Sequence, residues 1–464
     1  MKQKKVVMVL AMAGMVVSLV SCGGEQNIES GKQDASYETE VSDTKSDKDN
    51  VGIKEFNSDG TIEETVMVDE SDIKITATDL KYTDYDVQLN VIIENNGDKD
   101  LKFVSGSIGY SCNAINGYMI SDGYMNTDVL AGKRANESIC FDLDELSIYG
   151  ITEIADIQVG FEVSDDDYQT IYAGVGQVKT SAADSYDYEV DTFAENLKSG
   201  ALEKIADCSI SYYSDEELYN QSGISIISEA LITNKDGEKT IFIEIENNSS
   251  ELVYGVTSNM ILNGLVVYDA RWSSDAVSPH TRCIVGLSPS SMLEEDYWDL
   301  FGISEIGDVA FTFTAIDGEW NEVAPSQEVS IALLPKTPSI SDKGEEVYNE
   351  GGIRIIAKGL VEDPKDYSDD VHMLFLIENN SFDIIGIEDV YDSLSVNGYM
   401  VDYMADNTTV PTGKYALIDV EIDASSLEEC GIAGIEDIAE AEISFEIEDY
   451  EHGETAKPIV RIKY

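Results

Sequence analysis

Basic residues are scarce in this chain. Twenty-nine Lys and Arg face 91 Asp and Glu, a formal net charge of −62 over 464 residues. Binding a phosphate backbone needs a basic surface, so nucleic acid is excluded as a partner. An anionic bilayer surface would also repel the body of the protein. Histidine is rarer still. His280, His372 and His452 lie far apart, which leaves no base–nucleophile pair and no metal cluster within one segment. There is no GxSxG, HExxH, P-loop or strand-to-helix GxGxxG pattern. Paired carboxylates occur everywhere in so acidic a chain and point to no particular chemistry. No CxxC spacing exists, so a cysteine zinc site is not expected. No cofactor, metal or catalytic residue is expected.

Long apolar runs are also missing, with one exception. Lys2, Lys4 and Lys5 precede an apolar stretch from Val6 to Val20, too short for the ~20 residues that span a bilayer. A positive n-region followed by a short h-region reads as a secretory signal over 1–21. It ends Leu19-Val20-Ser21-Cys22. This resembles the lipobox of bacterial lipoprotein precursors, and the resemblance implies a diacylglyceryl group on the sulfur of Cys22, which becomes the mature N-terminus. The membrane is then a partner through the lipid alone, and the rest of the chain faces outside the cytoplasm. Two acyl chains anchor stably where one does not, at ~0.8 kcal/mol per buried methylene. Residues 22–60 follow as an acidic linker with few apolar side chains. Such a segment cannot bury enough surface to offset its ordering entropy and is expected to be disordered. As a flexible stalk it would reach on the order of 35 Å.

Five cysteines remain beyond Cys22. An odd, scattered set is no disulfide framework. Cys112 and Cys140 fall in one segment and can pair; buried thiols are the alternative.

The remainder repeats. IENN occurs at 93–96, 245–248 and 377–380. Before it, Leu89, Val91 and Ile93 match Ile241, Ile243 and Ile245, and then Met373, Phe375 and Ile377. Alternation with a period of two places one apolar row on a core face of a strand. Asn-Gly follows in each copy at 116, 263 and 397, the strongest short hairpin signal. A Gly-Ile pair then follows at 150, 302 and 431. Leu146, Trp298 or Leu427 sits four residues before its glycine, as in a helical turn closed by glycine.

Each copy holds about 120 residues, enough to bury its own core. Many short strands with closely spaced turns describe a β-sandwich. The expected fold is all-β: sandwiches over 61–182, 216–336 and 345–464. A linker at 183–215 carries a short helix capped by Thr192 and Glu195, and 337–344 is a plain linker. IENN itself is expected to be structural. Its Glu faces water, and its asparagines turn the chain by satisfying local backbone groups.

The run from IENN through NGYM (116–119 and 397–400) and a Gly-Lys turn (132–133 and 413–414) to Gly-Ile resembles the immunoglobulin-like domains of uncharacterised Gram-positive surface lipoproteins. The middle copy departs, with Asn-Gly-Leu-Val and no Gly-Lys turn. The resemblance implies fold and location, and carries no catalytic residues.

All three tryptophans lie in the middle copy. Trp298 replaces a repeat-wide Leu and is expected in the core. Trp320 aligns with Tyr168 beside a hairpin. Trp272, next to Arg271, has no counterpart, and an aromatic beside Arg is a common glycan or peptide contact. The acidic loops at 165–167 and 363–370 are expected to be solvated rather than calcium sites. The function expected is a non-catalytic, lipid-anchored surface protein that presents three immunoglobulin-like domains to a protein, wall polymer or glycan. The alternatives are a solute-binding lipoprotein of a transporter, which needs two α/β lobes, and a surface hydrolase.

Overall fold

The computed structural model describes residues 55–106, 113–268, 272–287, 295–362, 369–449, 453 and 455–464. Cys22, Cys112, Arg271, His452, the side chain of Trp272, the signal segment, the stalk as far as residue 54 and the acidic loop at 363–368 lie outside the described residues.

The chain is all-β, built as tandem sandwiches. In the first copy, Thr65–Glu70, a lead strand Ile73–Tyr82, the IENN strand Asp86–Asn95 and Arg134–Asp142 form a four-stranded antiparallel sheet. Leu101–Ser105, Met125–Val129, Asp156–Asp165, Thr170–Lys179 and the Asn-Gly hairpin Asn113–Ile120 make the facing sheet. The second and third copies repeat the first sheet. Their lead strands are Ile224–Asn234 and Ile353–Glu362, and their IENN strands are Lys239–Asn247 and Val371–Asn379. The strand beyond is Thr281–Leu287 or Lys414–Ile422. That last position, filled by Arg134–Asp142 in the first copy, is called the receiving strand below.

The period-two rows fall where expected. Leu89, Val91, Ile93, Ile241, Ile243, Ile245, Met373, Phe375 and Ile377 are all buried, each contributing roughly 1.5–3 kcal/mol. The helical turns form at Leu143–Ile148, Glu295–Phe301 and Ala424–Glu429. Each closes with a left-handed glycine and an N–H of the following Ile donating to the carbonyl of Leu146, Trp298 or Leu427 at 2.9–3.0 Å, the Schellman closure. Trp298 is buried.

The structure adds to or changes the expectations in four places. First, the copies, whose mutual packing the sequence leaves open, share sheets. The facing sheet of the first copy continues into the first sheet of the second through Tyr118 and Arg282. The second joins the third through Leu265–Val266 and Tyr415–Ala416. Second, residues 183–215 are more than a linker. The helix Thr192–Ser199 is capped by Asp191, whose side chain accepts from Ala194 N, and not by Thr192. Gly200 separates it from a second turn, Ala201–Ile205, and Cys208–Ser214 adds a strand to the second copy's lead strand. Third, 337–344 is packed: Ile340 is buried, Ser341 N donates to Phe301 O at 2.8 Å, and Lys358 Nζ donates to Ser341 O at 2.9 Å. Fourth, the stalk's last residues dock on the first copy. Phe56 lies 6.1 Å from Tyr82 between ring centroids, and Asn57 N donates to Thr152 O.

The two asparagines of IENN behave differently. The second is exposed. The first is fully buried in every copy. Asn95 Nδ2 donates to Lys99 O and Val129 O, both at 2.8 Å, and its Oδ1 accepts from Gly97 N at 3.0 Å. Asn247 does the same with Glu251 O, Val277 O and Ser249 N. So does Asn379 with Asp383 O, Val410 O and Ser381 N. The local turn was expected; the bond to Val129, Val277 or Val410 was not. It ties the end of the first sheet to a strand of the facing sheet. The Glu of IENN is also not simply in water. Glu94, Glu246 and Glu378 are half-buried and paired with Arg134, Arg282 and Arg354.

Replacing Asn247 with Ala strands buried backbone groups. The expected cost is roughly 2–4 kcal/mol in urea unfolding, whereas Asn248→Ala, at an exposed position, should stay within about 0.5 kcal/mol.

Candidate functional site: the seam between the first two copies

The Asn-Gly turn has positive φ at both residues in each copy, 51° and 86° at Asn116-Gly117, as a type I′ hairpin requires. Its Asn side chain also grips the loop behind the helical turn. Asn116 Nδ2 donates to Glu153 O, and its Oδ1 accepts from Ala155 N and Asp156 N. Asn263 and Asn397 repeat all three bonds with Glu305, Gly307 and Asp308, and with Asp437, Ala439 and Glu440. The hairpin is thereby aimed at the next copy.

There Gly117 O accepts from Arg282 N at 2.7 Å. The Arg282 guanidinium lies 5.9 Å from the Tyr118 ring centroid, 3.0 Å from Glu246 Oε1 and 4.0 Å from Asp191 Oδ2. Tyr118 Oη donates to Asp191 Oδ1 at 3.1 Å. Burial above all, then the charges of Glu244 and Asp191, raises the Tyr118 phenol well beyond its usual range, so it stays a donor. Glu244, fully buried with Ser228 Oγ donating to it at 2.7 Å, is also raised, first by burial and then by Asp191. The cluster is a desolvated ion-pair network around one arginine. Cation–π contact adds to it roughly 0.5–2 kcal/mol. It joins two domains, with Glu244 enclosed within it. A groove of about 430 Å³ lies beside it, lined by Ser147, Thr152, Thr192, Asn196 and Lys198.

The second seam uses the same parts in apolar form. Gly264 O accepts from Tyr415 N at 2.9 Å, and Ile356, Leu374, Leu376 and Leu417 join the core around Trp298 and Tyr297. His372 lies on the outward face of its strand. Its Nδ1 lies 2.9 Å from Asp419 Oδ2, and its ring is 6.1 Å from Tyr297. That outward face is the seam.

The expected site residues fare unevenly. Trp272 begins the strand Trp272–Val277, opposite Thr257. Cys140 is half-buried on the first receiving strand, opposite Gln88, while its expected partner Cys112 lies outside the described residues. Trp320 and Tyr168 occupy equivalent turn tips, 64% and 87% exposed with φ of 66° and 59°. Asp165 holds its own turn, accepting from Asp167 N and Gln169 N and pairing with Lys99 at 2.6 Å. Among the described residues no group of three or more His, Cys, Asp or Glu is arranged to hold a metal. Arg282 faces the IENN Glu across the strand pair, but no motif or spacing in the sequence marks it.

No family model matches the chain, and no curated protein matches it. Among solved structures, it is similar to the Amycolatopsis orientalis exo-chitosanase CsxA at 8% identity and a TM-score of 0.16, over 86% of this chain and 78% of that one. It is also similar to Escherichia coli alpha-2-macroglobulin activated by porcine elastase, at 9% identity and 0.15, over 84% and 33%. A biofilm associated protein BSP domain matches at 10% and 0.15, over 91% and 84%. At these scores the likenesses carry no argument about function.

Glu145, in the first helical turn, accepts from Ser121 N and Oγ, at 3.1 and 2.9 Å. Burial, and then the Asp122 charge, pushes it up to about 8. A carboxyl raised on folding binds more protons in the native state. Its stabilising share is complete below the unfolded value near 4.5 and fades as pH rises through about 8. Thermal melts from pH 5 to 8.5 should show the wild type losing stability relative to Glu145→Gln, by a few kcal/mol at most. Parallel curves would exclude Glu145 as the source.

Proposed function

We propose that this protein is a non-catalytic, lipid-anchored surface protein whose three immunoglobulin-like sandwiches form a stiff arm for binding or adhesion. The observation that supports this most is the coupling of successive copies through shared sheets, ion pairs and packed cores. Enclosed as it is, the seam network favours holding domains in fixed relation over turning over a substrate. Two α/β lobes around a cleft, the frame of a solute-binding lipoprotein, have no counterpart in these sheets. Exposed aromatic turn tips at Tyr168, Trp320 and Tyr391 offer contact points on an otherwise acidic surface. Arg271 and Trp272 in the middle copy remain the proposed ligand contact, with a protein, wall polymer or glycan as ligand. Cys22 is the proposed anchor, holding the molecule on the outer side of the membrane.

One experiment with three full-length forms tests this. Wild type should partition into detergent and bind isolated cell-wall polymer. Cys22→Ser should appear in the medium, and Trp272→Ala should stay anchored yet bind at least tenfold more weakly. An anchored Cys22→Ser chain overturns the lipid reading, and equal polymer binding by Trp272→Ala overturns the contact.

A further inference from the structure

The Asn-Gly hairpin does the same work twice. In the first copy the strand after Gly117 runs parallel to the second copy's receiving strand, and Tyr118 and Met119 are 2% and 4% exposed. In the second copy Leu265 and Val266 meet Tyr415 and Ala416 and are 0% and 4% exposed. The third copy has the same turn, with Asn397 and Gly398 at φ of 51° and 81°, and its NGYM is identical to the first copy's. Yet Tyr399 and Met400 are 55% and 60% exposed. The four residues and the bonds of the Asn side chain are the same, so the difference lies in what covers them: a receiving strand, Tyr149 and the start of the helix Thr192–Ser199 meet the first hairpin, and among the described residues no counterpart meets the third.

A receiving strand without a hairpin also exists. Arg134–Asp142 ends the four-stranded sheet of the first copy, and among the described residues no strand pairs with its far edge. Its Arg134 occupies the register position of Arg282: each faces the IENN glutamate, at 3.0 Å from Glu94 and from Glu246. The Arg134 side chain is 70% exposed, where that of Arg282 is 16%. Charge is complementary as well. Lys133 and Arg134 stand together in a chain poor in cations, while exposed Glu436, Asp437 and Glu440 flank the third hairpin.

We infer that the third copy's hairpin docks on the first copy's receiving strand of a second molecule, head to tail. Gly398 O takes the N–H of Arg134, and the guanidinium lies over Tyr399, as Gly117, Arg282 and Tyr118 are arranged within one chain. A heterologous contact of this kind propagates into open chains unless its rotation closes. The contact is weaker than the internal seams. Asn90 and Asn136 stand on the first copy's outward face where the second has Phe242 and Ile284 and the third has Leu374 and Leu417. Edge hydrogen bonds and the Arg–Tyr pair carry it, without an apolar face. The inference does not depend on the lipid anchor.

Sedimentation of the mature chain as Cys22→Ser, from micromolar to near-millimolar concentration, tests it without an acyl group to drive association. The wild-type sequence should grow with concentration into species beyond a dimer. Arg134→Ala and Tyr399→Ala, both at exposed side chains and so compatible with folding, should each associate roughly tenfold more weakly. An equimolar mixture of the two variants has one intact head and one intact tail. It should form dimers and stop there. A monomer at all concentrations overturns the proposal. So does growth indifferent to both variants, or a mixture no more associated than its parts, which would mean an isologous contact.

Discussion

A buried carboxamide at the end of the IENN strand holds each sandwich shut. A β-sandwich has two sheets that attract through apolar side chains, and that attraction has little direction. Asn95, Asn247 and Asn379 supply direction. Each lies where its strand leaves the first sheet, and each bonds a carbonyl of the facing sheet some thirty residues on. The same side chain closes the local turn through its oxygen. An unmade bond at such a site costs more than a made one contributes, so the position tolerates few substitutes. Asp would lack the two donors, and Ala would leave Val129, Val277 or Val410 without a partner.

A second set of asparagines, in the Asn-Gly turns, sets the relation between domains. By gripping the loop behind the helical turn it fixes where the hairpin points, and the hairpin meets the next copy's receiving strand. The two seams then differ in chemistry on one frame. The first is an ion-pair network around Arg282; the second is packed Leu and Ile with a Tyr in the arginine's place. A desolvated network adds geometry more than net stability, whereas the apolar seam adds burial. The outward face of the first copy, with Asn90 and Asn136, is solvated instead.

Much of this was legible in the residues. Period-two rows located every IENN strand and its buried face. Gly-Ile located the helical turns, because a left-handed residue after a helix is a local demand that glycine meets. Asn-Gly located the hairpins for the same reason. The long-range roles were hidden. The partners of Asn95 and Asn116 are backbone carbonyls and amides, which carry no residue signature. The seam faces were hidden within apolar runs: Phe242, Leu374 and Leu376 read as extra core, since nothing in a strand's own sequence says which of two buried faces meets another domain. Thr192 read as a helix cap because Thr and Asp both qualify, and only the fold shows that Asp191 accepts the bond. At the site, Arg282 was passed over because its partners Tyr118 and Asp191 lie 164 and 91 residues away.

The clamp can be tested directly by hydrogen exchange of the asparagine side-chain amides, resolved by NMR. Asn96, Asn248 and Asn380 are exposed next to the buried three and serve as an internal reference. The carboxamides of Asn95, Asn247 and Asn379 should exchange only with opening of their sandwich, orders of magnitude more slowly than their neighbours. Exchange at the same rate for both members of each pair would contradict the account.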